Sequence, residues 1–340
     1  MTRLREPNSA NYDESAERGN ASGSPHRRVW LLSGSAVVVV AVLFMMGFLG
    51  LGNRRTLTNY RSAAGAQRPS KASVDGVTIA YADSGGTGPV VLCLHAIGHG
   101  ARDFEDLSRR LSPDYRVIAL DFPNQGNSGP DSKPASGTRY AEIVSQLIDQ
   151  LHLTSLTLVG NSIGGAVAVR YASLHPERVK ALVLCDSGGL GSPSKIGRVF
   201  IAGFVQFFAA GRRAAIWFPW AFSHYYAHVL RERSAQEERD RIVRSAYEIA
   251  PTLEDAWRSF ARPEENLLPV LPDIRCPVLI AWAKDDFVLP LKSNQAAFQR
   301  FPKHEVETFE GGHAAFLEDP DRFESAVRLF LKSVYSSSKS

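Results

Sequence analysis

Residues 155–165 read Ser-Leu-Thr-Leu-Val-Gly-Asn-Ser-Ile-Gly-Gly, and this stretch decides the fold. The short apolar run at 156–159 predicts a strand, and the Ala- and Val-rich run at 163–174 predicts a helix. Between them Gly160-Asn161-Ser162-Ile163-Gly164 has the spacing G-x-S-x-G in strand–turn–helix context. Such a turn lifts a serine hydroxyl above the edge of a sheet. Small residues at 160 and 164 leave room for a strained backbone. The helix start aims amide N–H groups and the positive end of its dipole at developing negative charge. On its own Ser162 also reads as a helix N-cap; the flanking elements favour a nucleophile.

On both sides of this turn the same alternation repeats. Strands are expected at 77–82, 90–94, 116–120, 179–184, 278–282 and 305–309, and helices at 104–111, 140–151, 291–301 and 320–335. Short apolar strands alternating with helices imply βα units and a parallel sheet covered on both faces. Between Asp186 and Ile274 the strand pattern stops. Helices are expected there at 195–210, 236–250 and 252–261, so a helical lid is inserted at about 187–273.

A serine nucleophile needs a base, and the base needs an orienting carboxylate. After the strand at 278–282 comes Lys284-Asp285-Asp286-Phe287-Val288-Leu289-Pro290, which puts carboxylates at the strand's C-terminal end, on the ligand-binding edge of an α/β sheet. After the strand at 305–309 comes Glu310-Gly311-Gly312-His313. The glycines permit a tight loop that swings His313 over the same edge.

Over about residues 73–335 the chain resembles the α/β-hydrolase superfamily, in its branch with a lid between the sixth and seventh core strands. The resemblance implies a mostly parallel eight-stranded sheet with helices on both faces. It makes Ser162 the nucleophile and His313 the base. It selects Asp286 as the acid, because the family pattern small-x-x-Asp-x-x-x-Pro falls on Ala283 to Pro290, with Asp285 as the second choice. Leu94-His95-Ala96-Ile97-Gly98 occupies the place of the family's His-Gly-x loop, with Ala96 where Gly is usual. The carry-over makes the backbone N–H groups of Ile97 and Ile163 the oxyanion donors. Asp121-Phe-Pro-Asn-Gln-Gly126-Asn-Ser128 is similar to the family's Asp-x-x-Gly-x-Gly-x-Ser loop, Asn124 replacing one glycine at a turn that needs positive φ.

The resemblance also bears on substrate. Haloalkane dehalogenases and epoxide hydrolases on this fold use Asp at the elbow, whereas this chain has Ser162. Ser-His-Asp implies acyl transfer to water, with a carboxylic ester as the expected substrate. The elbow is also similar to that of meta-cleavage-product C–C hydrolases, although Ala314 and Ala315 follow the histidine where that family commonly has Trp. A third reading is a non-catalytic binding protein on the same fold. Ten aromatic residues fall within 200–226. Of these Phe204, Phe208 and Trp217, together with His99, are expected to line a pocket for a hydrophobic or lipid-derived ester. Beside Arg212 and Arg213 the aromatics also suit a membrane interface.

The 340 residues carry a formal net charge of +4, but residues 73–340 hold 29 basic and 31 acidic residues. The catalytic part is therefore mildly acidic, which argues against a nucleic-acid partner. From Val29 to Gly52 there are 24 residues without a charge, bracketed by Arg27-Arg28 and Arg54-Arg55. This predicts a single transmembrane helix at 29–52 and a bilayer as partner. The flanking charges do not fix the side on which the catalytic domain lies. Residues 1–28 read as a disordered polar tail and 53–72 as a basic linker. Cys93, Cys185 and Cys276 are too few and too far apart for a disulfide framework or a zinc site. With no metal-ligand cluster or nucleotide loop in the sequence, no cofactor is expected.

Overall fold

The computed structural model describes residues 69–336. The tail at 1–28, the span at 29–52 and most of the linker at 53–72 lie outside the described residues. Among the described residues no helix is long and apolar enough to cross a membrane.

The elements follow in chain order. Strands β1 (Ser70–Val74), β2 (Val77–Asp83) and β3 (Val90–Leu94) precede helix α1 (Glu105–Leu111). Next come β4 (Arg116–Leu120), α2 (Gly137–Gln150), β5 (Leu156–Asn161), α3 (Ile163–Leu174) and β6 (Val179–Cys185). The insertion carries α4 (Lys195–Arg212), α5 (Phe218–Val229), α6 (Gln236–Arg244) and α7 (Ala246–Ser259). The chain then forms β7 (Val278–Ala283), α8 (Leu291–Phe298), β8 (His304–Phe309), the short α9 (Ala315–Glu318) and α10 (Pro320–Ser336).

The eight strands form one sheet in the order β1-β2-β4-β3-β5-β6-β7-β8. The β1–β2 hairpin and the β2–β4 pair are antiparallel, and every other pair is parallel. Strands β5 and β7 are buried at every residue, as continuous apolar runs in a sheet covered on both faces must be. The C-terminal ends of β5, β6, β7 and β8 come to one edge, so the loops that follow them meet.

Three elements differ from the sequence expectation. Strand β1 starts at Ser70, inside the stretch read as linker. Only Ala72 and Val74 turn inward, too few to register as an apolar run; the strand forms because β2 offers it an edge across the Asp75-Gly76 turn, where both residues have positive φ. Helix α2 begins at Gly137, before the apolar pattern does, because the Ser136 side chain caps it by accepting the Arg139 N–H at 3.0 Å. The helix expected at 236–250 breaks at Ser245, whose hydroxyl donates to the Ile242 carbonyl at 3.0 Å. The next helix runs on through Pro251. A proline there forfeits a backbone bond, but burial of Ile249, Leu253 and Trp257 carries the helix past it.

Trp282 on β7 is fully buried, and its indole N–H donates to the Leu289 carbonyl at 3.0 Å. This contact sets the course of the loop after β7. Trp282→Ala should lower the unfolding free energy by about 3–5 kcal/mol in urea titrations. A loss below about 1 kcal/mol would contradict this packing.

Candidate active site

Ser162 joins β5 to α3 with φ 55° and ψ −118°. Non-glycine residues rarely adopt this conformation, and it costs about 1–3 kcal/mol. Its surroundings hold it there. The Ser162 N–H donates to the Cys185 carbonyl at 3.1 Å, and the Ser162 carbonyl accepts from Gly165, Ala166 and Gly188 at 3.0, 3.2 and 2.8 Å. The side chain makes no capping hydrogen bond to α3, so the N-cap reading of Ser162 fails. Close approach of the backbones requires Gly164, since a Cβ there would sit 2.2 Å from the Leu94 carbonyl oxygen.

The same sheet edge carries a buried carboxylate–imidazole pair. Asp286 accepts from the backbone N–H groups of Val288 and Leu289 at 2.7 and 2.9 Å through Oδ1. Its Oδ2 lies 2.8 Å from Nδ1 of His313. The neighbouring Asp285 is exposed and pairs with Arg231 at 3.1 Å, so the structure brings Asp286, not Asp285, to the histidine. The His313 loop turns at Gly311, φ 101°, and the His313 N–H donates to Val229 at the end of α5 at 2.7 Å. Burial alone would lower the His313 pKa, but the Asp286 carboxylate, by charge and hydrogen bond, outweighs it and holds the imidazole above its ordinary value. Because Nδ1 is engaged, Nε2 is the ring atom left to exchange a proton. Asn161 ties elbow to histidine loop by donating from Nδ2 to the carbonyls of Cys185 and His313 at 3.0 and 2.8 Å.

Two further carboxyl groups belong to this site, and sequence reading passed over both. Asp186, directly after β6, is fully buried with φ 46°. Its Oδ1 accepts the Ala283 N–H at 2.8 Å. Burial, together with the charge of Asp286, pushes its pKa well above the carboxylate range. Glu318, at the end of α9, accepts four backbone N–H groups: Arg231 and Glu232 at 2.5 and 3.0 Å, and Gly312 and Ala314 at 2.7 and 3.4 Å. It clamps both sides of His313 to the segment that follows α5 in the middle of the insertion. An aspartate at the C-terminal end of a strand was the available sequence sign of Asp186; nothing local marks Glu318.

The loop after β3 reaches the elbow from the other side. Gln125 accepts the Gly98 N–H at 2.6 Å. The backbone N–H groups of Ile97 and Ile163 have no protein acceptor among the described residues, which is what two oxyanion donors require. Ala96 is accommodated without a glycine. His95 serves structure, because its Nε2 accepts the Phe122 N–H at 2.9 Å. Asn124 takes φ 63°, so the turn it was expected to make survives.

A cavity of about 490 Å³ opens beside Ser162, lined by Ile163, Ala166, Leu190, Phe200, Ile201, Trp257, Phe260, Val288 and Leu289. The size suits a small-molecule ligand. The four side chains expected to line it do not. His99 is buried against Asp103, which also accepts Arg241 at 2.8 Å and so fastens the loop after β3 to α6. Phe204 stacks on Trp257 with ring centroids 4.3 Å apart, Phe208 is fully buried, and Trp217 packs on Phe207. The apolar stripe of α4 is continuous, but its first turns face the cavity while its later turns fill the interior of the insertion. Helical periodicity does not tell the two halves apart.

Glu318→Ala should leave four backbone N–H groups without their acceptor, two of them, at Gly312 and Ala314, buried. It should lower the melting temperature by several degrees and unpin His313. Hydrogen exchange at Gly312 and Ala314 reads this directly, and unchanged protection there would rule out the clamp.

The comparisons agree with this fold. The family model described as "alpha/beta hydrolase fold" matches residues 89–320. A 2-hydroxy-6-oxononadienedioate/2-hydroxy-6-oxononatrienedioate hydrolase of Escherichia coli (strain K12 / DH10B) is 28% identical over 268 aligned residues, covering 74% of this chain and 90% of that protein. Among solved structures, a thermophilic esterase from Thermogutta terrifontis superposes with a TM-score of 0.68 at 22% identity, covering 79% of this chain and 99% of its own. A bacterial membrane phospholipase A gives 0.67 at 24% identity, covering 91% of this chain and 98% of its own. These two likenesses concern the fold. With the family model matched over most of its length, the chain belongs to the alpha/beta hydrolase fold family.

Proposed function

We propose that the protein is a membrane-anchored serine hydrolase that cleaves a hydrophobic carboxylic ester through an acyl-enzyme. The observation that carries this reading is the strained Ser162 on the sheet edge that also holds the buried Asp286–His313 pair. His313 Nε2 takes the Ser162 proton as Oγ attacks the ester carbonyl. The Ile97 and Ile163 N–H groups stabilise the oxyanion; loss of one such donor typically costs about 3 kcal/mol. His313 then gives its proton to the departing alkoxide, and the same base activates water to release the acid. Asp286 fixes the imidazole tautomer and stabilises the imidazolium.

The apolar part of the cavity wall supports a hydrophobic acyl or alcohol group, beside the polar side chains of Ser192, Ser194, Ser293 and Asn294. The uncharged run at 29–52 supports the anchor. An esterase and a membrane phospholipase sharing the fold are consistent with ester chemistry. C–C bond hydrolysis is the second reading, favoured by the E. coli relative. Against it, Glu265 is the one charged residue among the described residues of the cavity wall, and it offers no cation to a dienoate.

An ester series of increasing acyl length should give rising kcat/KM, and Ser162→Ala should lower kcat by about 10⁴-fold or more. Faster turnover of a dienoate than of any ester would move the assignment to C–C hydrolysis. The pH profile tests the pair. The base must be neutral, so kcat/KM should rise with pH through a pKa above the ordinary histidine value. In Asp286→Asn the plateau should fall and the limb should move to lower pH, while Asp285→Asn keeps the wild-type profile. The reverse pattern would transfer the acid's role to Asp285.

A further inference from the structure

The first turn of α4 has two faces. Gly197, Phe200 and Ile201 line the cavity beside Ser162. On the outer face of the same turn, Ile196 and Val199 are 83% and 67% exposed. Across the mouth Phe287 is also exposed, its ring 6.2 Å from that of Phe200, and Val288 and Leu289 after it line the cavity. The entrance to the site is thus bordered by large apolar side chains held in water. Soluble surfaces rarely cluster such residues without a partner.

The charge around the entrance selects the partner. Between Asp186 and Glu232 there is no acidic residue; of the basic ones, Lys195 and Arg198 stand on the first turn of α4 at the entrance, whereas Arg212 and Arg213 close the far end of that helix and Arg231 follows α5. Arg212 and Arg231 pair with carboxylates. Lys195 and Arg198, which alternate with Ile196 and Val199, are exposed and have no ion pair among the described residues. An otherwise mildly acidic domain therefore presents an apolar, cationic rim at its entrance. That combination matches an anionic bilayer surface, with apolar side chains at the acyl boundary and basic ones among the phosphates. Residues 53–69, which join the run at 29–52 to the domain, span about 60 Å when fully extended.

We infer that the mouth of the cavity docks on an anionic lipid surface through Ile196 and Val199, flanked by Lys195 and Arg198, so that an acyl ester enters the site from the bilayer. This rests on the ester-hydrolase reading for its purpose but not for its geometry.

The test uses the full chain in phosphatidylglycerol–phosphatidylcholine vesicles, with Cys276→Ser to remove the half-buried thiol. A nitroxide is attached at Val199→Cys or, as control, at Leu329→Cys on the outer face of α10, where Leu329 is 73% exposed. Collision with oxygen against collision with a nickel chelate reports depth. The label at 199 should sit in lipid and that at 329 in water, and the label at 199 should rise toward water when phosphatidylglycerol is omitted. Water-like values at both positions would overturn the docking. So would a label at 199 shielded from both reagents and broadened by a second label, which would make the rim a contact between protein copies. Hydrolysis of a short soluble ester by the wild-type chain in the same vesicles, with Ser162→Ala as the blank, reports separately on the ester reading.

Discussion

The backbone of Ser162 is the constraint on which the rest depends. A serine at φ 55° and ψ −118° is stable only where its neighbours leave no alternative. Here the Ser162 carbonyl accepts three backbone N–H groups, from the first turn of α3 and from the loop after β6. Gly164 presses against the carbonyl at the end of β3, where any side chain would collide. Three adjacent parallel strands must therefore be in register before the serine can be presented. The cost of the strain is met by the central sheet, which is the best-buried part of the molecule.

Around that serine the fold controls charge as closely as shape. Asp186 and Asp286 both lie next to His313, and two ionised carboxylates in one buried site would repel each other. Two backbone N–H groups and the imidazole hold Asp286, whereas burial and the charge of Asp286 push the Asp186 pKa well above the carboxylate range. Asp286 is thus the carboxylate that is hydrogen-bonded to the imidazole. Glu318 then fastens the histidine loop to the segment after α5, so the insertion and the loop that carries His313 are parts of one hydrogen-bonded unit.

Much of this was legible in the sequence, and the exceptions have physical causes. The central strands announced themselves because both their faces are buried and their residues are continuously apolar. Ser162, Asp286 and His313 lie on loops whose spacing from those strands fixes which edge they occupy. β1 escaped notice because an edge strand of a hairpin needs only two inward side chains. The cavity wall was misread because one apolar stripe on α4 does two jobs, and a stripe carries no sign of where cavity ends and interior begins. Phe204 and Phe208 were expected at the wall; Phe200, Ile201 and Trp257 are there. Asp186 and Glu318 owe their importance to backbone groups brought from distant segments, which no local pattern records.

The central claim is that Ser162 becomes covalently acylated and that the Asp286–His313 pair drives this. Rapid-quench mass spectrometry of the full chain during turnover of a long-acyl ester tests it most directly. The account predicts an added mass equal to the acyl group on the peptide containing Ser162, formed within one turnover and absent in His313→Ala. Hydrolysis that proceeds with no acyl mass on Ser162, or with the mass on another residue, would contradict it.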